Sequence, residues 1–503
     1  MQGWLMMMSE PKRLHPIAAL VNTLKQLKEL IIPFVVFIVF GSRGSGWDLV
    51  YLIGSVSVLV LVLVFGILSW VRFTYRIEHG ELRIEYGIFI RKKRYIPFER
   101  IQSLDVSQGI LQRPFGLVKV KVETAGSGAM GMEDSEAVLT AITKEEASQI
   151  QKVLVSIKKR ERQTENGMEN EAQPSEGTHV YKISQGELIL LASTSGGVGV
   201  VLSAVIAFIL QFEEFIPYER VFQGFEEFAA NGVIFISFVM FCGFLLAWLI
   251  SFAGTMVKYA GFSVVKADHD LVITRGLLEK RQFTIPLNRI QAVRISENPI
   301  RQLFGLASAF VESAGGSSAN EESSKVLILP IAKKRKIAEL LEPCLKDYQF
   351  EPYFKAAPPR AFRRYLLKGL IITVPIVLAT SLFFRPWGFL SLLLLAFSAL
   401  WSWLEFKDAG WSLDSGILTL RYRSLVKSTV FMKKTKVQSM SIKQSPFQRQ
   451  AQLATIQAMV KSGHSGSGGK VVDLEEEDVE SIYKWYSHEA GNEACENQAR
   501  PLQ

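Results

Sequence analysis

Apolar stretches in this chain come in pairs, and a long segment rich in charge follows each pair. A hydrocarbon core about 30 Å thick is crossed by roughly 20 mostly apolar residues in helical form. Residues 49–71, 188–212, 232–257, 366–384 and 387–404 meet or approach that length. A sixth stretch, 30–41, is short, and Lys25 and Lys28 just before it are placed to snorkel toward headgroups. It counts as a helix because it completes a third hairpin. The expected fold class is a polytopic α-helical membrane protein with six transmembrane helices in three hairpins, alternating with aqueous domains. Composition agrees, since 49% hydrophobic residues stand beside 57 Lys and Arg and 48 Asp and Glu, so the charge must be segregated from the apolar runs.

Cations set the orientation. Lys12, Arg13, Lys25 and Lys28 precede the first helix, and Arg360, Arg363, Arg364 and Lys368 flank the fifth, whereas the opposite loops carry only Arg43, Arg220 and Arg385. By the positive-inside rule both termini and all large polar domains face the cytoplasm, in a multi-pass cell-membrane protein. Lys12, Arg13 and polar residues lie ahead of the first apolar run, so a cleavable signal peptide is not expected. The net charge of +9 follows from basic cytosolic segments, and no nucleic-acid partner is expected. The long outward loop, 211–231, sets Glu213, Glu214, Glu219, Glu226 and Glu227 among Phe215, Tyr218, Phe222, Phe225 and Phe228 at helical spacing, which reads as an amphipathic helix on the outer leaflet.

The charged segments repeat. Ile96, Pro97, Phe98, Glu99, Arg100, Ile101, Gln102 recurs as Ile285, Pro286, Leu287, Asn288, Arg289, Ile290, Gln291. Without a gap, Phe115 and Gly116 then align with Phe304 and Gly305, and upstream Leu82 and Gly87 with Leu271 and Gly276. A third copy keeps Lys436, Val437, Gln438 in that place but has Lys433 at the proline and Gln452 at the glycine. Leu82, Ile84, Tyr86 and Val118, Val120, Val122 alternate as half-buried strands do. Each copy closes on an amphipathic helix: Thr143 and Glu146 form a capping box ahead of Ile150, Val153, Leu154 and Ile157, and 332–345 and 474–488 are its counterparts. A curled sheet of about seven strands with one C-terminal helix buries these faces in each copy.

With this signature the chain resembles bacterial pleckstrin-homology-like (PH-like) domains of the membrane-attached type (bPH type 2), in particular the YdbT-like family. That resemblance covers nearly the whole chain and implies a bacterial cell membrane and three cytosolic PH-like β-barrel/α domains, with a smaller one-domain PH-like membrane protein as partner. The expected organisation is a cytosolic segment (1–29), hairpin 1 (30–71), domain 1 (72–160), a flexible tether (161–186), and hairpin 2 (187–257) with its outer loop 211–231. Domain 2 (258–348), a linker (349–365), hairpin 3 (366–404), domain 3 (405–490) and a disordered tail (491–503) complete it.

Candidate chemistry is sparse. Arg91, Lys92, Lys93 and Arg94 form the densest basic run, with Lys280 and Arg281, and Lys433 and Lys434, as thinner counterparts. Together with Arg100, Arg289 and Lys436, they are candidates for contact with anionic lipid or with a partner. Pro97, Gln102, Phe115, Gly116, Pro286, Gln291, Phe304, Gly305 and Gln438 read as structural, the glutamines bonding to backbone at a sheet corner or domain contact. Glycine-rich stretches at 126–131, 315–318 and 463–469 lack the P-loop pattern and mark a hairpin loop of each copy. Six scattered histidines and the cysteines Cys242, Cys344 and Cys495 show no metal-ligand spacing, so no cofactor, metal or enzyme activity is expected. The function expected is a membrane-anchored scaffold that binds lipid, a smaller PH-like membrane protein or copies of itself. Envelope-stress or antimicrobial-peptide protection linked to export is the alternative, motivated by the acidic aromatic loop. A transporter is a third reading, disfavoured because the helices lack ionisable residues at midplane.

Overall fold

A computed structural model describes residues 10–24, 48–78, 80–124, 137–165, 177–197, 199, 203, 232–313, 325–384, 387–462 and 466–487. In repeat 1, strand β1 (Lys12–Arg13) and helix α1 (Asp48–Arg72) precede β2 (Thr74–Glu78), β3 (Glu81–Tyr86), β4 (Lys92–Pro97), β5 (Ile101–Gln108), β6 (Leu117–Thr124), β7 (Ala137–Thr143) and α2 (Lys144–Glu165). Repeat 2 has β8 (Thr178–Lys182), α3 (Gln185–Ser193), α4 (Gly232–Tyr259), β9 (Ser263–Ala267), β10 (Asp270–Arg275), β11 (Lys280–Pro286), β12 (Ile290–Glu297), β13 (Leu306–Ser313), β14 (Lys325–Lys333) and α5 (Lys334–Leu341). Repeat 3 has β15 (Lys355–Ala356), α6 (Phe362–Phe383), α7 (Leu392–Asp408), β16 (Gly410–Asp414), β17 (Ile417–Arg423), β18 (Lys427–Lys433), β19 (Val437–Lys443), β20 (Leu453–Val460), β21 (Ser467–Glu475) and α8 (Glu476–Tyr486).

Two compact units result, and the boundary between them runs through repeat 2. The first comprises residues 1–178 and 267–286, the second 179–266 and 287–503. In the first unit β1 to β4 form one antiparallel sheet in chain order, and a second runs β7-β6-β5-β11-β10. The alternating residues that predict strands supply the core: Leu82, Ile84, Val118, Val120 and Val122 are all nearly inaccessible, around Phe98 and Ile101. In the second unit one sheet runs β14-β13-β12-β18-β17-β16-β15 and another β19-β20-β21. Its core gathers Leu418, Leu420, Val430, Met432, Ile456, Val471 and Val479.

Each repeat therefore does not close its own sheet, as the sequence suggested. Strands equivalent to β2–β4 and to β5–β7 lie in different sheets, and the second set joins the first set of the next repeat. Alternation fixes which face of a strand is buried but leaves its neighbour open. Other local signals hold well. Thr143 N–H donates to Glu146 Oε2 and Glu146 N–H to Thr143 Oγ1, both at 3.2 Å, which is the capping box. Gly116 and Gly305 both take φ 64°, and Gln452 keeps the same left-handed backbone at φ 51° where the third repeat lacks glycine.

Three helices among the described residues are long and apolar enough to cross a membrane, not the expected six: Met240–Tyr259, Pro359–Phe383 and Gly388–Asp408. The segment 30–41, most of 198–212 and the outer loop 211–231 lie outside the described residues. Small residues seat the helices against each other: a Cβ on Gly369 of α6 would sit 2.6 Å from Ser402 Oγ and 2.8 Å from Ser398 Oγ of α7. Two further differences concern loops. Residues 178–182, inside the expected tether, form β8, whose Tyr181 hydroxyl donates to Ile331 O at 2.9 Å. Residues 467–469, expected in a glycine loop, begin β21 instead; Gly468 is there because a Cβ would run into the Ala458 carbonyl, and Gly469 because one would meet Leu420 at 3.0 Å. The stretches 126–131 and 315–318 lie outside the described residues.

Candidate functional site

Repeats meet through strand edges. At the first junction β11 runs antiparallel to β5, with Lys280 opposite Gln108, Arg281 opposite Ser107 and Gln282 opposite Val106. At the second, β18 runs antiparallel to β12 over six pairs, from Glu297 opposite Lys427 to Ala292 opposite Met432. Gln102 aligns with Gln291, so Gln108 corresponds to Glu297; Gln291 aligns with Gln438, so Lys280 corresponds to Lys427. Both junctions thus use one register.

The second junction is ionic. Arg294, on β12, donates to Glu312 Oε1 on β13 and to Tyr422 Oη on β17, each at 2.7 Å, to Gly468 O at 2.7 Å and to Ser467 Oγ at 3.2 Å on β21. Glu312 is fully buried, and its other oxygen has no hydrogen-bond partner among the described residues. Burial opposes the charged guanidinium, but Glu312 and the Tyr422 hydroxyl more than offset this and hold the Arg294 pKa above its ordinary value. A second cluster lies at the other end of the same strand pair. Asp408, the last residue of α7, accepts from Arg423 Nε at 2.6 Å and Lys427 Nζ at 2.8 Å, while Glu297 accepts from Lys334 Nζ at 3.0 Å. Arg423 also reaches the Gln302 side-chain oxygen. The end of a membrane-length helix is thereby tied to the strand that joins two repeats. Arg294, Glu312, Asp408, Arg423 and Lys427 escape a search for catalytic or lipid-binding patterns. Their signal is charge inside apolar strands, such as Arg294 between Val293 and Ile295, where burial is tolerated only with partners.

The basic candidates divide. Lys280 and Arg281 lie on the first junction, where Arg281 also pairs with Glu279 at 3.0 Å. Lys436 Nζ donates to Asn288 O at 3.0 Å, in the signature turn of the preceding repeat, and Arg113 Nη1 to Leu277 O at 3.1 Å. Lys433 binds Asp347 at 2.6 Å and lies over the Tyr348 ring, and Lys434 lies over Trp485. Arg91 and Lys93 both face Glu85, and Arg94 covers the Tyr86 ring. Arg100 is exposed, and Arg289 ends the turn before β12. Of the glutamines, Gln291 is buried and donates to Arg289 O at 3.0 Å, whereas Gln438 is exposed; the Gln102 side chain is outside the described set. Pro97 and Pro286 end β4 and β11.

Apolar tips complete the surface. The turns after β3 and β10 expose Phe89 (86%), Ile90, Leu277 and Leu278, and the turn after β17 exposes Leu425. Phe115, Leu303 and Phe304 are exposed beside the next turn. Phe89 lies 6.0 Å from Phe65 of α1, and Trp401 Nε1 of α7 donates to Ser424 O at 3.1 Å. Phe65 and Trp401 each stand seven residues before the end of their helix, at Arg72 and Asp408, or about 10 Å along it.

Comparison with known proteins finds the same threefold repeat. The family model described as "Bacterial PH domain" matches three times, at residues 27–156, 204–344 and 369–490. The chain is similar to the UPF0699 transmembrane protein YdbT of Bacillus subtilis (strain 168), at 39% identity over 499 residues, 96% of this chain and 99% of that one. It is also similar to UPF0699 transmembrane protein YdbS of the same organism, at 28% identity over 108 residues, 21% of this chain and 64% of that smaller protein. No solved structure matches.

Proposed function

This chain belongs to the bacterial PH domain family, and we propose that it is a non-enzymatic, multi-pass scaffold of the bacterial cell membrane, with its termini and three PH-like domains on the cytoplasmic side. The observation that carries the reading is the repeated junction, in which one PH-like domain takes the next by strand pairing in the same register. A chain whose domains already bind one another this way is suited to bind further PH-like domains. Among the described residues, no group of three or more His, Cys, Asp or Glu is placed to hold a metal ion. The smaller relative supports a one-domain PH-like membrane protein as partner.

Lipid is the second partner in this reading. The apolar tips beside Phe65 and Trp401 lie at the depth where a helix end leaves the acyl chains, so they dip into the inner leaflet. Arg91, Lys92, Lys93 and Arg94 border the first tip, and each cation near an anionic leaflet contributes about 1 kcal/mol. The test is affinity purification of the full chain from its native host in mild detergent, with the accompanying proteins identified by mass spectrometry. A small PH-like membrane protein at fixed ratio is the expected result; a monomeric chain that carries no membrane protein with it overturns the scaffold.

A further inference from the structure

The series of strand pairings ends on two strands of complementary type. β19 corresponds to β5 and β12, and β4 corresponds to β11 and β18. Among the described residues both are outermost in their sheets, β4 next to β3 and β19 next to β20. The contrast in accessibility is sharp. β12 is buried along almost its whole length beside β18, whereas in β19 every residue from Gln438 to Lys443 except Met440 is exposed, with Ile442 at 39%. Likewise β18 is buried from Lys427 to Met432, whereas β4 exposes Lys92, Lys93 and Tyr95.

We propose that β19 of one copy pairs antiparallel with β4 of a second copy, continuing the junction register so that Gln444 opposes Arg91, Lys443 opposes Lys92 and Ile442 opposes Lys93. The inference deepens the scaffold reading and rests on it. A second copy is the occupant because this chain makes the same pairing twice and carries both halves of a third. Gln444 already holds the posture of its counterpart at the first junction: its Nε2 donates to Leu453 O at 3.1 Å, as Gln108 Nε2 donates to Leu117 O at 3.1 Å. The contact is head to tail, so it propagates until rotation closes a ring or a different chain caps it.

Charge gives the contact a signature. In that register Lys443 faces Lys92 beside Arg91, Lys93 and Arg94, where the second junction sets Ser296 against Ser428. Like charges directly opposite weaken a strand pair, so the association tightens as salt is raised, the reverse of most charged interfaces. Lys443→Glu replaces repulsion by attraction and is expected to tighten self-association by about two- to thirtyfold, twice the effect of one cross-strand charge pair, and to reverse the salt dependence.

The experiment uses the full chain in mild detergent with Cys242, Cys344 and Cys495 replaced by alanine, carrying Lys93→Cys and Ile442→Cys. Copies are read by native mass spectrometry and by oxidative cross-linking. Disulfides joining position 93 of one copy to 442 of another, with tighter association in Lys443→Glu, are expected. The inference is overturned by a monomer at every salt concentration in both forms, or by multimers whose cross-links exclude the 93–442 pair. If the chain is monomeric yet carries a smaller PH-like protein, self-pairing fails and the scaffold reading survives; if it is monomeric and alone, both fail.

Discussion

Replacing Arg294 with methionine removes the guanidinium but keeps most of the side-chain length. Four hydrogen bonds from one group are lost, to Glu312, Tyr422, Ser467 and Gly468, and three of those partners belong to the next repeat. Glu312, fully buried, then has no counter-charge. Breaking a buried ion pair from one side costs about 3–5 kcal/mol, mostly because the remaining charge stays desolvated. At about 1.4 kcal/mol per decade, opening of the β12–β18 junction becomes more frequent by roughly two to three and a half orders of magnitude. Hydrogen exchange on the full chain in detergent reads this directly, since those amides of β12 and β18 that bond across the junction are released when it parts. Arg294→Met with Glu312→Leu is the control: it removes both charges and is expected to recover most of the lost protection, as buried pairs exchanged for apolar residues often do. Protection unchanged in the single variant, or a double variant as open as the sum of the two singles, refutes the reasoning.

Other expectations follow from the same geometry. Gly468→Ala drives a methyl into the Ala458 carbonyl and should lower the thermal midpoint of the full chain by several degrees, whereas Gly186→Ala, in the first turn of α3 with open space around it, should cost far less; equal losses contradict the packing. Glu146 is held below the usual carboxylate range: burial works against its charged form, but hydrogen bonds from Lys12, the Thr143 N–H and Tyr75 outweigh it. A depressed pKa contributes stability that is complete above the unfolded value of about 4.3 and lost as pH falls through the folded one. Glu146→Gln should therefore be less stable at neutral pH and show a shallower acid-side loss in a thermal-shift series. A fluorophore placed by Phe89→Cys in the full chain, with the native cysteines replaced, should be quenched by lipids carrying a nitroxide near the headgroup; quenching no greater than at Glu81→Cys rules out leaflet insertion of the tip.

What the sequence discloses here depends on whether the signal is local. Alternation in Leu82–Ile84 and Val118–Val120–Val122 puts those side chains in the core, and the Thr143 and Glu146 pair caps the helix it predicts. The left-handed turn persists at Gln452 without glycine, held by neighbours that a propensity argument cannot weigh. Strand partnership is not local. Nothing in Val430 or Ile295 says that they belong to one sheet, and nothing in Lys280 and Arg281, candidates for lipid or partner contact, says that they lie on a domain junction. Arg294 and Glu312 were the available clue, because a charge inside an apolar strand requires a partner from elsewhere in the chain.

Strand exchange between consecutive PH-like domains is the claim on which the rest depends, and Ser296 and Ser428 test it, since they face each other across β12 and β18. With Ser296→Cys and Ser428→Cys in an otherwise cysteine-free chain, mild oxidation of native membranes should close an intrachain disulfide between repeats 2 and 3, seen as a 296–428 linked peptide. Ready oxidation of the shifted pair Ser296→Cys with Val430→Cys, and none of 296 with 428, would contradict the pairing.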